Sequence, residues 1–195
     1  MQKKETEAET FYPKTRLEWR EWLEENHASK QSVWLLQYKQ KANKPGISWS
    51  EAVDEALCFG WIDSVRKSIG GEQFIQFFTR RKPGSVWSKI NKGKVDQLIK
   101  NGMMSEAGYR SIEIAKQNGG WTILDDVEEL IIPPDLELAF DSNPGSKDYY
   151  LSLSKSVKKM ILQWLVLARR PNTRENRIKE IAELAAQKLR PKQFR

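Results

Sequence analysis

The sequence has a single cysteine and a single histidine in 195 residues. Cys58 has no partner for an intramolecular disulfide, and no cysteine-based zinc site can form within one chain. A serine–histidine–aspartate triad or a multi-histidine metal centre would have to draw on His27 alone. That residue follows Glu24-Glu25-Asn26 in a polar stretch that reads as the solvated, frayed end of a helix. Neither Gly-x-x-x-x-Gly-Lys nor Gly-x-Gly-x-x-Gly occurs, so both standard phosphate loops are missing. Long apolar runs are missing too. Met160-Ile161-Leu162 and Trp164 to Ala168 are parted by Gln163 and flanked by charge, which predicts no membrane span. Met1 to Glu9 has no apolar run after its lysines and does not read as a signal peptide, so the cytoplasm is the expected location. No motif implies a metal or a cofactor.

Aromatic residues are plentiful. Eight tryptophans compensate for a modest apolar content of 39%, because each buries a large area. A chain of this length can bury a core without staples, and its aromatic content argues against disorder.

The net charge of +7 is unevenly placed. Residues 1–60 carry −1, residues 61–102 carry +6, residues 103–150 carry −7 and residues 151–195 carry +9. Two basic segments therefore flank an acidic one. Either they meet anions outside the chain or they pair with the acidic segment in the fold.

Thr15 to Asn26 reads as a helix opened by a Thr15/Glu18 capping box. Ser32 to Lys39 is short and rich in strand formers, and Lys41 to Gly46 is a loop. Ser48 with Glu51 opens a second helix through Cys58, with Gly60 at its C-terminal cap. Trp61 to Lys67 and Glu72 to Arg80 read as a hairpin around Ser68 to Gly71. After Pro83-Gly84, Ser85 is the expected start of a helix to Asn101. Only helices follow: Ser105 to Asn118, a short one near Asp125 to Leu130, one after Pro133-Pro134, and one from Pro144 to Leu151. Two more carry clear apolar stripes, on Val157, Met160, Ile161, Trp164, Leu165 and Ala168 and on Ile178, Ile181, Ala182, Ala185 and Leu189. There are no internal repeats. The predicted class is α+β. A small, mainly antiparallel sheet of about three strands is covered by helices, and the second half is all-helical and ends in a helical hairpin. The expected division is a disordered tail over 1–10, an α+β core over 11–150 and a hairpin over 151–195 that packs on the core as one domain.

Two stretches carry candidate chemistry. In Ala56 to Ser64 a helix ends, the chain reverses, and a strand begins with Trp61, Asp63 and Ser64. An aspartate between apolar neighbours needs a partner if buried. Asp63 is therefore either a ligand-orienting acid or general base, or half of a structural ion pair. In Thr79 to Lys92, three cations precede an expected helix start, where free backbone N–H groups and the positive dipole end suit an anion. Arg81 and Lys82 would hold the anion, and Arg81 can do so with two parallel bonds. Ser85, Ser88 and Asn91 would add polar contacts, and Trp61 and Trp87 would form walls. The plainer alternative makes Ser85 a cap and Trp87 core. A third stretch, Ala168 to Arg174, places cations at a helix end, where they counter the dipole, meet an anion or dock on the acidic segment.

Four stretches together resemble the YdeI/OmpD-associated family, also called bacteriocin-protection proteins: Trp19 to His27, Ala56 to Ser64, Arg81 to Asn91, and Ala168 to Arg174. The resemblance runs over roughly residues 11 to 190. It implies a role in envelope stress or resistance to cationic peptides and carries over no catalytic residue. Members of the family commonly have Arg at the place of Phe77 and Pro at the place of Arg80, which takes Arg80 off the expected site.

The leading expectation is a pocket for a small anionic or nucleotide-like ligand, with Asp63 as its acid. The alternatives are a structural or adaptor protein without catalysis, and a nucleic-acid binder acting through segments 61–102 and 151–195. The sequence says nothing about oligomeric state.

Overall fold

Thr15 and Ser48 both start helices, and for the predicted reason. In the computed structural model, which describes residues 8–195, the Thr15 hydroxyl accepts from the Glu18 backbone N–H at 3.2 Å and opens α1 (Arg16–Asn26). Glu18 reaches back to the Lys14 N–H rather than to Thr15 itself. Ser48 and Glu51 complete a reciprocal capping box at the start of α2 (Trp49–Cys58). Residues 1–7, most of the expected tail, lie outside the described residues. Glu9 and Thr10 are placed, with the Glu9 carboxylate on Lys30 at 2.5 Å.

The chain divides into two compact units, Met1–Gly120 and Trp121–Arg195. The predicted division fell at residue 150 instead.

The first unit holds a four-stranded sheet in the order β1-β2-β4-β3, made of Thr10–Phe11, Ser32–Tyr38, Gln73–Arg80 and Trp61–Gly70 respectively. Three strands are antiparallel neighbours, as expected. The fourth, β1, is a two-residue strand parallel to β2, so the sheet is mixed. Alternation along β2 and β4 puts Val33, Leu35, Phe74 and Phe78 on one buried face. Trp19, Trp22 and Trp61 meet that face, with Trp19 edge-on to Phe78 and Trp22 edge-on to Trp61. The third helix, α3 (Lys89–Lys100), starts later than predicted, because Ser88 rather than Ser85 is its cap. The fourth, α4 (Glu106–Gln117), is capped by Ser105 as expected.

Two features bind the helices of this unit together. Glu55 is 1% exposed and lies between two arginines. Arg16 Nε meets one carboxylate oxygen at 2.5 Å and Arg20 Nη1 the other at 2.8 Å, while Arg20 Nη2 donates to the Met103 carbonyl. Secondly, α4 lies against the end of α2 at Gly108. A Cβ there would sit 2.3 Å from the Cys58 carbonyl oxygen, so only glycine permits the approach.

The second unit is all-helical: α5 (Asp125–Glu128), α6 (Pro134–Asp141), α7 (Ser146–Ser152), α8 (Lys155–Val166) and α9 (Pro171–Ala186). The last two form the expected hairpin around Ile161, Leu165, Ile181 and Ala185, all buried. Met160 belongs to the predicted stripe but is exposed, while Leu162 is buried in its place. Here two cations of the basic C-terminal segment pair with the acidic one. Arg174 grips Asp135 with two bonds, at 2.6 and 2.9 Å, and this pairing is the main cause holding the Asp135 carboxyl below its usual range. Lys159 pairs with Glu128 and Lys147 with Glu137. Arg177 donates to the Trp164 carbonyl and lies over its ring. No helix among the described residues is long and apolar enough to cross a membrane.

Candidate functional site

Four pieces of the first unit converge where β4 ends: the C-terminus of α1, the turn between α2 and β3, the 80–87 segment, and one face of α4. Their positions follow from local chemistry. Arg80, the last residue of β4, donates from Nε to the His27 carbonyl at 2.8 Å and from Nη2 to the Ala28 carbonyl. A cation is thus placed on the carbonyl end of α1, where the helix dipole favours it. Trp61 Nε1 donates to the same His27 carbonyl at 3.4 Å. Gly60 has φ +70°, a conformation that side chains rarely adopt, and its carbonyl accepts from the Arg81 N–H at 2.9 Å. A Cβ on Gly60 would lie 3.0 Å from the Ala107 carbonyl oxygen and 3.1 Å from the Ser111 Cβ, so the turn rests directly on α4.

The 82–87 segment is irregular beyond its Pro83-Gly84 turn, not helical. It is tied to the far end of α4. The Trp87 N–H donates to the Gly120 carbonyl at 3.0 Å, and Asn118 donates its side-chain amide to the Pro83 carbonyl. These long-range bonds hold Ser85 to Trp87 out of a helix, and Ser88 caps α3 by accepting from the Asn91 N–H.

Between these pieces lies a pocket of about 530 Å³. Four cations line it, Arg80, Arg81, Lys82 and Arg110, together with one acid, Glu106. Its apolar lining includes Phe59, Trp87, Ala107, Ile114 and Ala115, and His27, Ser85 and Ser111 add polar atoms. Arg81 is the unusual member. Its guanidinium lies 3.6 Å from the centroid of the buried Trp87 ring. Its Nη1 donates to the Val86 carbonyl at 3.2 Å, and its buried Nε has no acceptor. Burial pulls the Arg81 pKa down to about 10, against the opposing charge of Asp63. The group remains a cation at neutral pH, with no ion-pair partner among the described residues. Lys82 and Arg110 are exposed and equally without a partner among them.

Of the residues singled out from sequence, Arg81, Lys82, Ser85 and Trp87 come together in this pocket. Trp61 is buried beneath it in the aromatic core. Asp63 stands apart on β3, where its Oδ2 accepts from Trp49 Nε1 at 2.8 Å and from Gln76 Nε2 at 3.2 Å. It acts on Arg81 only through its charge. Ser64 is exposed on the edge strand, and Ser88 and Asn91 belong to the α3 cap. Sequence reasoning missed His27, Arg80, Glu106 and Arg110. The stripe Glu106, Ala107, Arg110, Ser111, Ile114 and Ala115 has helical spacing and mixes charge with small residues. That pattern marks one face of α4, but nothing in it says that this face meets the 80–87 segment.

Cys58 borders this region without serving it. Burial pushes its thiol up to about 11. In the native protein at pH 8, Ellman's reagent should therefore label Cys58 no faster than the chain opens. Labelling at the rate of a free thiol would contradict this.

A family model described as a domain of unknown function (DUF8412) matches residues 11–111, just over half of the chain and nearly all of the pocket's elements. The chain belongs to that family. A second model, described as bacteriocin-protection, YdeI or OmpD-associated, matches residues 129–188. This is the family that the sequence resembles. Its model covers Ala168 to Arg174, while the other three resembling stretches lie within the first match. No curated protein and no solved structure was found to match.

Proposed function

We propose that the chain is a small-anion-binding protein and that the pocket beside Arg81 is its binding site. The observation that carries this is the state of Arg81: a half-buried guanidinium stacked on Trp87, with an unused buried donor and no carboxylate in ion-pair range. A desolvated cation is costly unless an opposite charge meets it. Two further cations unpaired among the described residues, Lys82 and Arg110, line the same pocket. Residues 129–188 match a family model whose description includes the words bacteriocin-protection. We take resistance to such peptides as the setting in which this ligand acts. A nucleic-acid role through the C-terminal basic segment is the weaker reading, since Arg174 and Lys159 are spent on Asp135 and Glu128.

The test is calorimetric titration with inorganic pyrophosphate at low ionic strength. Lys82→Gln and Arg110→Gln should each weaken binding roughly fivefold, about 1 kcal/mol, the discounted value of a charge-assisted bond from an exposed side chain. Neither change should shift the unfolding midpoint, because neither side chain has a partner to lose. Wild-type protein that takes up no anion would refute the proposal.

A further inference from the structure

We infer that the outward face of the sheet binds single-stranded nucleic acid, with bases stacking on Trp34 and Phe77 and phosphates meeting Lys41, Lys44 and Lys67. This surface shares no residue with the anion pocket and stands independently of it. Strand alternation fixes which side chains point outward. Along β2, and along β4 up to Thr79, each inward residue is buried and each outward one stays partly exposed. A second layer would bury the outward set, as the aromatic core buries Val33, Leu35, Phe74 and Phe78 on the other side. Yet the outward set is apolar at its centre. Trp34 stands opposite Phe77 in register, and Leu36 opposite Ile75. An apolar sheet face left open to water marks a binding surface.

The charge around this face selects an anionic partner. No outward residue of the three antiparallel strands is acidic. Lys67, opposite Ile75 on β3, lays its Nζ 4.8 Å from the centroid of the Trp34 ring. At the other end of β2, the Tyr12 ring meets Tyr38 edge-on while its hydroxyl donates to the Pro45 carbonyl. That bond ties the connection carrying Lys41 and Lys44 to the Tyr38 end of the face. Lys41, Lys44 and Lys67 are exposed and have no ion-pair partner among the described residues. The nearby acids are occupied elsewhere: Glu72 lies 3.8 Å from Lys39, and Asp63 is bound to Gln76 on the inward side. A second copy of the chain would bring the same lysines to the same face and be repelled. A single strand of nucleic acid supplies both things the face lacks. Its bases offer flat faces to Trp34 and Phe77, whose rings lie 4.6 Å apart and tilted by 43°, and its backbone offers a phosphate to each lysine. A base that takes the place of the Lys67 ammonium on Trp34 releases that ammonium to the phosphate. A duplex keeps its bases stacked inside and gives the two rings nothing.

The experiment is fluorescence anisotropy of a labelled oligothymidylate of about 12 nucleotides, long enough for one sheet face, titrated with the full chain between about 50 and 200 mM KCl. Affinity should fall with salt at a logarithmic slope of about −2, three phosphates at about −0.7 each. Lys67→Gln should weaken binding and make that slope shallower by about 0.7. Trp34→Leu should weaken binding about tenfold, the loss of one stacked base, and leave the slope unchanged. Because Lys67 is exposed and has no ion pair to lose, its variant tests the face even where Trp34→Leu fails to fold. No uptake of the oligonucleotide by the wild type would overturn the inference, as would equal affinity for the same strand annealed into a duplex. So would a folded Trp34→Leu variant that binds as tightly as the wild type, or a Lys67→Gln variant with the wild-type slope. Sedimentation showing a dimer that Trp34→Leu disperses would give the face to a second copy instead. Lys82→Gln and Arg110→Gln, which report on the pocket, should leave oligonucleotide affinity unchanged. If they abolish it, the strand lies in the pocket and the sheet face is not its site.

Discussion

Glu55→Ala should destabilise the protein by about 3 kcal/mol, measured by urea unfolding, which is the lower end of the range for breaking a buried ion pair. Glu55 is 1% exposed and holds Arg16 and Arg20 at 2.5 and 2.8 Å, and those arginines keep side-chain exposures of 37% and 26%. Once the carboxylate is gone, the two cations can rehydrate in part, which limits the loss. The converse change is expected to cost more. Arg16→Met with Arg20→Met leaves the carboxylate enclosed with neither partner, for about 4 kcal/mol. Both effects act at the packing of α1 on α2, because Arg16 and Arg20 project from the first helix and Glu55 from the second. A loss under 1 kcal/mol in both variants would mean that water already reaches the carboxylate.

Gly108→Ala is the second large effect, and its sign runs against helix propensity. In an open helix position this change stabilises by up to about 1 kcal/mol. Here the new Cβ would lie 2.3 Å from the Cys58 carbonyl oxygen and 2.6 Å from the Met104 methyl. The methionine end can move away, but the backbone oxygen cannot move alone. That same carbonyl accepts from the Ser105 N–H at 3.1 Å and from the Ser105 hydroxyl at 2.6 Å. Separating α4 from α2 strains the bonds that cap α4. Overpacking of this kind outweighs the propensity gain, for a net loss of about 2 kcal/mol. Gly93→Ala is the control. It lies in α3 with nothing within 4 Å of its Cβ position, so it should stabilise by roughly 0.5 kcal/mol. If the two variants behave alike in thermal unfolding, the close contact at Gly108 is not real. Because Ala107 and Ser111 flank Gly108 on the pocket side of α4, anion affinity should fall with stability in Gly108→Ala and stay unchanged in Gly93→Ala.

Elements built from neighbouring residues were legible in the sequence. The Ser48/Glu51 box, the Trp61–Arg80 hairpin and the stripes on Ile161, Leu165, Ile181 and Ala185 all act within a few residues. Contacts between distant residues were not legible. Ser85 and Ser88 are both reasonable caps, and the choice is made by a bond from Trp87 to Gly120, far along the chain. Strand β1 is two residues long and parallel, too short for any alternation to show. Glu55 sits among apolar positions of α2, yet the two arginines that permit its burial come from another helix. The pocket follows the same rule. Its Arg81-to-Trp87 part is one stretch of chain and could be read, whereas His27 and Arg110 join it only through the tertiary fold. Arg80 was set aside on the family pattern, and it lines the pocket because the end of α1 offers it two carbonyls. Asp63 drew notice as an acid between apolar neighbours, and its partners are Trp49 and Gln76 rather than an arginine.

The most direct test of the anion site watches the arginines themselves. Side-chain Nε–H signals, recorded by ¹H–¹⁵N NMR, would be followed as inorganic pyrophosphate is added at low ionic strength. The Arg81 and Arg110 signals should shift together and saturate with one dissociation constant, while Arg174, already held by Asp135, should stay in place. An Arg81 signal that does not move, or arginine signals that all drift without saturating, would contradict the account.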